Sequence, residues 1–204
     1  MMVPTYAEMN ELHRLAEYIL ESNFFDYDNL WDWEQDWNDY VADNYGLTVY
    51  SGCTKACFVS TDVDWVIKVN LCHDRDYCYD EAFNYQAAID YGVEECFAAC
   101  YFLDRIDGHD FYIQEMVDVD EETSENTCYD YARETCEEED PTDDDVWDAY
   151  YDFDDYSRVN AIFRLANIKA KLIDFIYEYD IDDLHIGNFG YKGEKPVIID
   201  YSGY

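Results

Sequence analysis

Two short stretches near the end of the chain, Asp183-Leu184-His185-Ile186-Gly187-Asn188 and Val197-Ile198-Ile199-Asp200, carry oxygen donors at a spacing that can do chemistry. Phe189-Gly190-Tyr191 and Val197-Ile198-Ile199 are apolar, β-prone runs, and Lys192-Gly193-Glu194-Lys195-Pro196 between them supplies Gly and Pro for a turn. Antiparallel strands of similar length bring the chain back to its starting edge. Asn188, just before the first strand, and Asp200, just after the second, should therefore lie side by side. An amide oxygen beside a carboxylate suits a hard cation such as Mg²⁺, which takes oxygen ligands and shares them with substrate phosphates. Asp183, on the same loop, is free to accept a hydroxyl proton. Each of the three alone reads as an ordinary turn residue on an acidic surface; the combined spacing favours a site.

A second chemical feature is Lys68, which stands among apolar residues in Trp65-Val66-Ile67-Lys68-Val69. A charge there is unfavourable unless an anion or carboxylate meets it. Glu81, on the following helical pattern, is the natural counter-charge. The plain alternative is a solvent-facing lysine, since alternation sets Lys68 on the opposite face from Ile67 and Val69.

The elements that must position these groups follow from periodicity. Residues 5–21 form an amphipathic helix with Leu12, Leu15, Ala16, Ile19 and Leu20 at helical spacing. A second helix, about 30–44, carries Trp31, Trp33, Trp37, Tyr40 and Val41, read as packing aromatics rather than a stacking platform for bases. Three strands follow, 47–50, 56–60 and 65–70, with turns at Ser51-Gly52-Cys53-Thr54 and Thr61-Asp62-Val63-Asp64. A helix from Asp80 to Tyr91 comes next, then strands 97–103 and 111–117 joined by a loop over 104–110. Residues 118–145 are dominated by Asp and Glu, and too few large apolar side chains are present to offset ordering entropy. They read as a solvated loop. Helical pattern resumes at Asp144 or Asp145, and a long helix runs from about Tyr156 to Tyr179 with Ile162, Leu165, Ala166, Leu172, Ile173 and Ile176 as its stripe. The domain organisation expected is a helical extension (1–45), a sheet-based part (46–117), an acidic linker or insertion (118–145) and a helical part carrying the loop and hairpin (146–204).

With 204 residues, 49% hydrophobic and 19% aromatic, the chain can bury a core. Its 49 acidic against 12 basic residues give a formal charge of -37, which argues against direct binding of nucleic acid or anionic lipid and favours a basic partner. No apolar run approaches a membrane span and no signal segment opens the chain, so a soluble cytoplasmic protein is expected. Its eight cysteines are then reduced, mostly buried thiols. A metal site at Cys72-His73 with Cys78 is the lesser reading.

The order of sheet, helix, acidic stretch, long helix, loop and hairpin resembles the protein-kinase-like phosphotransferases over roughly residues 46–201. Asp183 to Asn188 is similar to the D-L-H-x-G-N loop of aminoglycoside and small-molecule kinases and of atypical protein kinases. Asp200-Tyr201-Ser202 stands where those proteins have D-F-G. The resemblance implies an α+β, two-lobed fold: a five-stranded antiparallel N-lobe sheet plus helix, and an abbreviated helical C-lobe. It implies ATP and Mg²⁺ as ligands. Asp183 would be the catalytic base, Asn188 and Asp200 the metal ligands, and Lys68 the phosphate-binding lysine held by Glu81. Gln114-Glu115-Met116 resembles the interlobe hinge, whose main chain at Glu115 and Met116 would bind adenine, and Gly52 is the single glycine of the nucleotide-covering turn. His185 would brace the loop through backbone hydrogen bonds. The chain departs from the family in having Ile181-Asp182 before the catalytic position and in stopping at Tyr204, before the segments that bind a peptide substrate. The aromatic N-terminal helices could pack against that shortened part.

Two functions are therefore expected. The first is a minimal phosphotransferase that binds Mg-ATP and acts on a hydroxyl of a protein or small molecule. The alternative is an inactive binding protein of the same fold whose acidic surface engages a basic partner, as a nucleic-acid mimic would.

Overall fold

Runs of apolar, β-prone side chains build the first part of the molecule into a sheet. In the computed structural model, which describes residues 2–22, 24–26, 44–136, 138, 140–164 and 166–202, strands β1 (Leu47–Ser51), β2 (Lys55–Ser60), β3 (Trp65–Asn70), β4 (Cys100–Ile106) and β5 (His109–Glu115) pair antiparallel in the order β1-β2-β3-β5-β4. One helix, α2 (Tyr77–Tyr91), is inserted between β3 and β4. The chain is thus mixed α and β, with the expected five-stranded antiparallel sheet and associated helix. It divides into two units, Met1–Tyr85 with Ala99–Met116 and Gln86–Ala98 with Val117–Tyr204.

Within the first unit, α1 (Tyr6–Glu21) starts at a capping box in which Thr5 and Glu8 satisfy each other's backbone N–H groups. It buries Leu12, Leu15, Ala16 and Ile19 and packs on β3 and β4. Each of the larger aliphatic side chains so buried contributes about 1.5–3 kcal/mol. The apolar stripe of α1 completes the core of the sheet. The expected tryptophan-bearing helix falls almost wholly outside the described residues. Strand β4 runs later than expected because Phe97 and Ala98 pair with Ile198 of the second unit's hairpin instead. The expected 104–110 loop shrinks to a tight turn at Asp107-Gly108, whose φ values of 49° and 89° match the twist of the strands it joins.

The second unit holds α3 (Glu121–Thr135), α4 (Asp143–Tyr151), α5 (Asp155–Ile162), α6 (Lys169–Glu178) and the hairpin of β6 (Phe189–Lys192) and β7 (Lys195–Ile198). Residues 118–145 are not the solvated loop that composition suggests. Asp120 caps α3 by accepting from Thr123 N–H, and Ser124, Cys128 and Ala132, four residues apart, form a narrow buried stripe. Small side chains suffice because α3 packs closely on α4 and α5. The single long helix expected over 156–179 is two helices, with turns at Phe163-Arg164 and Asn167-Ile168 between them. Helix α6 ends with Asp180 at φ 51° and Ile181 N–H donating to Ile176 O (3.0 Å), a left-handed cap that sends the chain straight into the 183–188 loop.

All eight cysteines are free thiols. Among the described residues no helix is long and apolar enough to cross a membrane.

Candidate active site

The first cluster, in the first unit, is built by register. Pairing of Cys57 with Lys68 and of Lys55 with Asn70 sets Lys55 and Lys68 on one face of the sheet. Helix α2 meets them through Glu81, on a buried stripe with Cys78, Tyr85 and Ala88. Lys68 Nζ donates to Glu81 Oε2 at 2.5 Å and to Gln114 Oε1 at 3.3 Å, and Lys55 Nζ donates to Glu81 Oε1 at 2.7 Å. Lys55, Lys68 and Glu81 are 6%, 3% and 0% exposed. The solvent-facing alternative for Lys68 is therefore set aside: its face of the sheet is covered. Burial pushes the neighbouring Cys78 thiol well above its ordinary range, and the Glu81 charge adds to the effect. Buried ions forfeit several kcal/mol of hydration each, and an apolar trio of similar volume would hold strand and helix at least as firmly. That the ions are present points to a use for their charge.

Glu115 and Met116 sit where expected, at the end of β5, but their N–H groups are engaged. Glu115 N–H donates to Ala99 O (2.8 Å) and Met116 N–H to Asp64 O (3.1 Å). The Glu115 carboxylate in turn accepts from Ala99 N–H (3.2 Å). Gly52 likewise uses its N–H within the turn, donating to Lys55 O (2.9 Å). A Cβ at Gly52 would meet only that oxygen, at 3.9 Å, so no close approach makes glycine necessary there.

The second cluster, in the second unit, is the loop and hairpin. Asp183 adopts φ 57°, a left-handed conformation that is strained for a residue with a side chain. Its carbonyl accepts from His185 N–H (2.9 Å) and from Asn188 Nδ2 (2.6 Å). This second bond fixes the Asn188 amide, so that its oxygen is the atom left to serve as a cation ligand. Ile199 N–H donates to Asn188 O (2.9 Å), continuing the β6–β7 ladder one pair beyond Phe189–Ile198, so Asn188 and Asp200 close the same end of the ribbon. Tyr201 anchors Asp200: its ring is fully buried against Phe97, and its hydroxyl donates to Ala98 O (2.6 Å). Ser202 Oγ donates to Asp200 Oδ1 (3.3 Å). His185 braces the loop as expected, its Nδ1 accepting from Gly187 N–H (3.1 Å), which places any ring proton of the neutral form on Nε2. Among the described residues no cluster of three or more His, Cys, Asp or Glu side chains could cage a metal alone. An amide and a carboxylate fit an ion that draws its other ligands from phosphate and water.

Three contributors were not named from sequence. Lys55 lies one position outside the expected second strand. Asp155, at the first turn of α5, accepts the Leu184 N–H through Oδ1 (3.1 Å) while pairing with Arg158 (3.2 Å), and so pins the loop next to Asp183. Gly190 packs so closely that a Cβ would come within 2.5 Å of Val117 Cγ2. Only Gly190 carried a sequence signal, as a glycine inside a strand pattern. A cavity of about 630 Å³ in the second unit, lined by Thr123, Phe163, Asn167, Ile168, Tyr191 and Lys195 among others, does not include Asp183, Asn188 or Asp200.

No family model matches the chain, and no curated protein matches it. Among solved structures the chain is similar to one described as the GDP and kanamycin complex of APH(2")-IIia, with 11% identity and a TM-score of 0.33 over 82% of this chain and 72% of that one. That likeness stands as a similarity alone.

Proposed function

We propose that this chain is a kinase-like phosphotransferase that binds Mg-ATP and transfers the γ-phosphoryl group to a hydroxyl of a protein or small molecule. The observation that carries the reading is the strained loop at Asp183, locked by Asn188 Nδ2 at 2.6 Å, on the same ribbon end as Asp200. The buried Lys68–Glu81 pair supports it independently. In this reading Asp183 orients the acceptor hydroxyl and takes its proton as the oxygen attacks the γ-phosphorus, and ADP leaves. Lys68, oriented by Glu81, meets the phosphate charge. Asn188 and Asp200 would hold Mg²⁺, which when bound neutralises phosphate oxygens. The domain division into sheet-based and loop-bearing parts belongs to the same proposal.

The engaged N–H groups of Gly52, Glu115 and Met116 favour a second reading, a noncatalytic protein on this fold that binds a basic partner through its acidic surface. Calorimetry separates the two. Mg²⁺-dependent ATP binding, weakened about tenfold or more (~1.4 kcal/mol) in Asp200→Ala, is expected. Equal and negligible heats in wild type and variant would leave the binding protein as the better reading. For transfer itself, Asp183→Ala should retain nucleotide affinity and lose phosphorylation of a basic substrate or of the chain itself. Wild-type turnover in that variant would remove Asp183 from its role.

A further inference from the structure

Two ammonium groups converge on one carboxylate in the first unit, and only one of them is needed to orient a phosphate-binding lysine. Lys55 opens β2 directly after the Gly52–Thr54 turn, and the ladder places it on the face that carries Lys68. Its Nζ takes one oxygen of Glu81 and Lys68 Nζ takes the other, at 2.7 and 2.5 Å. This is the turn that would lie over nucleotide phosphates, yet its glycine N–H is spent on Lys55 O at 2.9 Å. The arginines Arg14, Arg75, Arg105, Arg133, Arg158 and Arg164 each pair with a carboxylate. A triphosphate still requires compensation beyond a divalent ion and a single lysine.

Building on the phosphotransferase reading, we propose that Lys55 is a second phosphate-binding residue, standing in for the Gly52 N–H that is engaged within the turn. Glu81 is then a shared orienter that fixes both ammonium groups, and the ligand class is a nucleoside triphosphate recognised through its terminal phosphates. Lys55 and Lys68 act as a pair of point charges on separate phosphate oxygens, a role that flexible lysine stems serve without the planar geometry arginine imposes.

The test compares wild type, Lys55→Met and Lys55→Arg in titrations with Mg-ATP, Mg-ADP, adenosine and inorganic tripolyphosphate, with circular dichroism to establish that each variant is folded. Lys55→Met should weaken Mg-ATP about tenfold or more and Mg-ADP less, with adenosine unchanged and Lys55→Arg intermediate. A folded Lys55→Met that binds Mg-ATP within about twofold of wild type overturns the proposal and leaves the phosphotransferase reading standing. Tripolyphosphate bound by wild type and lost in Lys55→Met, with no nucleotide bound by either, supports the anion site and overturns the nucleotide reading. If Lys55→Met does not fold, the wild type is treated with an acyl-phosphate derivative of ATP and its modified lysines are mapped. Acylation of both Lys55 and Lys68 supports the pair, and acylation of Lys68 alone overturns it.

Discussion

Asp155 shows how a residue far from Asp183 in sequence can govern it. Its Oδ1 holds the N–H of Leu184, a fully buried residue, so the backbone on one side of Asp183 is tied to the first turn of α5. The Asn188 amide ties the Asp183 carbonyl on the other side. A loop held at φ 57° against its own preference needs both restraints. Asp155→Ala leaves a buried donor unpaired, a loss of about 1–3 kcal/mol. On the proposed phosphotransferase function, that variant should lower the phosphoryl-transfer rate about tenfold or more with little change in nucleotide affinity, and Asp155→Asn, which keeps an acceptor oxygen, should restore most of the rate. Equal turnover in Asp155→Ala and wild type would show that the loop keeps its shape without this bond.

Among the elements, the β6–β7 hairpin, the first three strands and α1 were legible because local pattern and turn chemistry agreed over each: β-prone apolar runs bounded by Gly- or Asp-bearing turns in the strands, a capping box and a period-3.6 stripe in α1. Helix α3 was not legible. An acidic stretch with few large side chains reads as disordered until one sees that Ser124, Cys128 and Ala132 meet close neighbours, where small residues pack well. The break between α5 and α6 carries no Pro or Gly to announce it. Lys68, Glu81, Asn188 and Asp200 could be named because each sits inside a recognisable local pattern. Lys55 and Asp155 could not, because only strand register and tertiary packing bring them to Glu81 and Leu184. The hairpin offers a direct test of such packing. A methyl on Gly190 would press on Val117 Cγ2 (2.5 Å), Asp118 O (3.2 Å) and Ile199 Cγ2 (3.2 Å). Gly190→Ala should destabilise the protein by about 1–3 kcal/mol in denaturant unfolding, through overpacking. No loss of stability would mean that the ribbon and residues 117–118 can separate freely.

For the whole molecule the governing quantity is a formal charge of -37. Acidic helix starts turn part of that charge to use: Glu8, Asp120, Asp145 and Asp154 accept hydrogen bonds at the ends of α1, α3, α4 and α5, which hold their carboxyls below the ordinary range. A carboxyl depressed in the folded state contributes stability that is present above its unfolded value and lost as pH falls through its folded one. Self-repulsion among the remaining carboxylates acts in the opposite sense, since protonating them relieves it. Stability should therefore rise as pH is lowered from about 8 toward about 5 and fall again below about 4, where the caps titrate. Salt isolates the repulsive part, because the Debye length shrinks from about 10 Å at 0.1 M to about 3 Å at 1 M. We expect the melting temperature at neutral pH to climb by about 5 °C or more between about 0.05 and 1 M NaCl, as about 2 kcal/mol of relieved repulsion would produce in a chain this size. The climb should be smaller at pH 5, where fewer charges remain to screen. A melting temperature that is flat in salt at pH 7 would mean that the acidic residues are too well dispersed to repel one another, and that the surface holds no strong field to offer a basic partner.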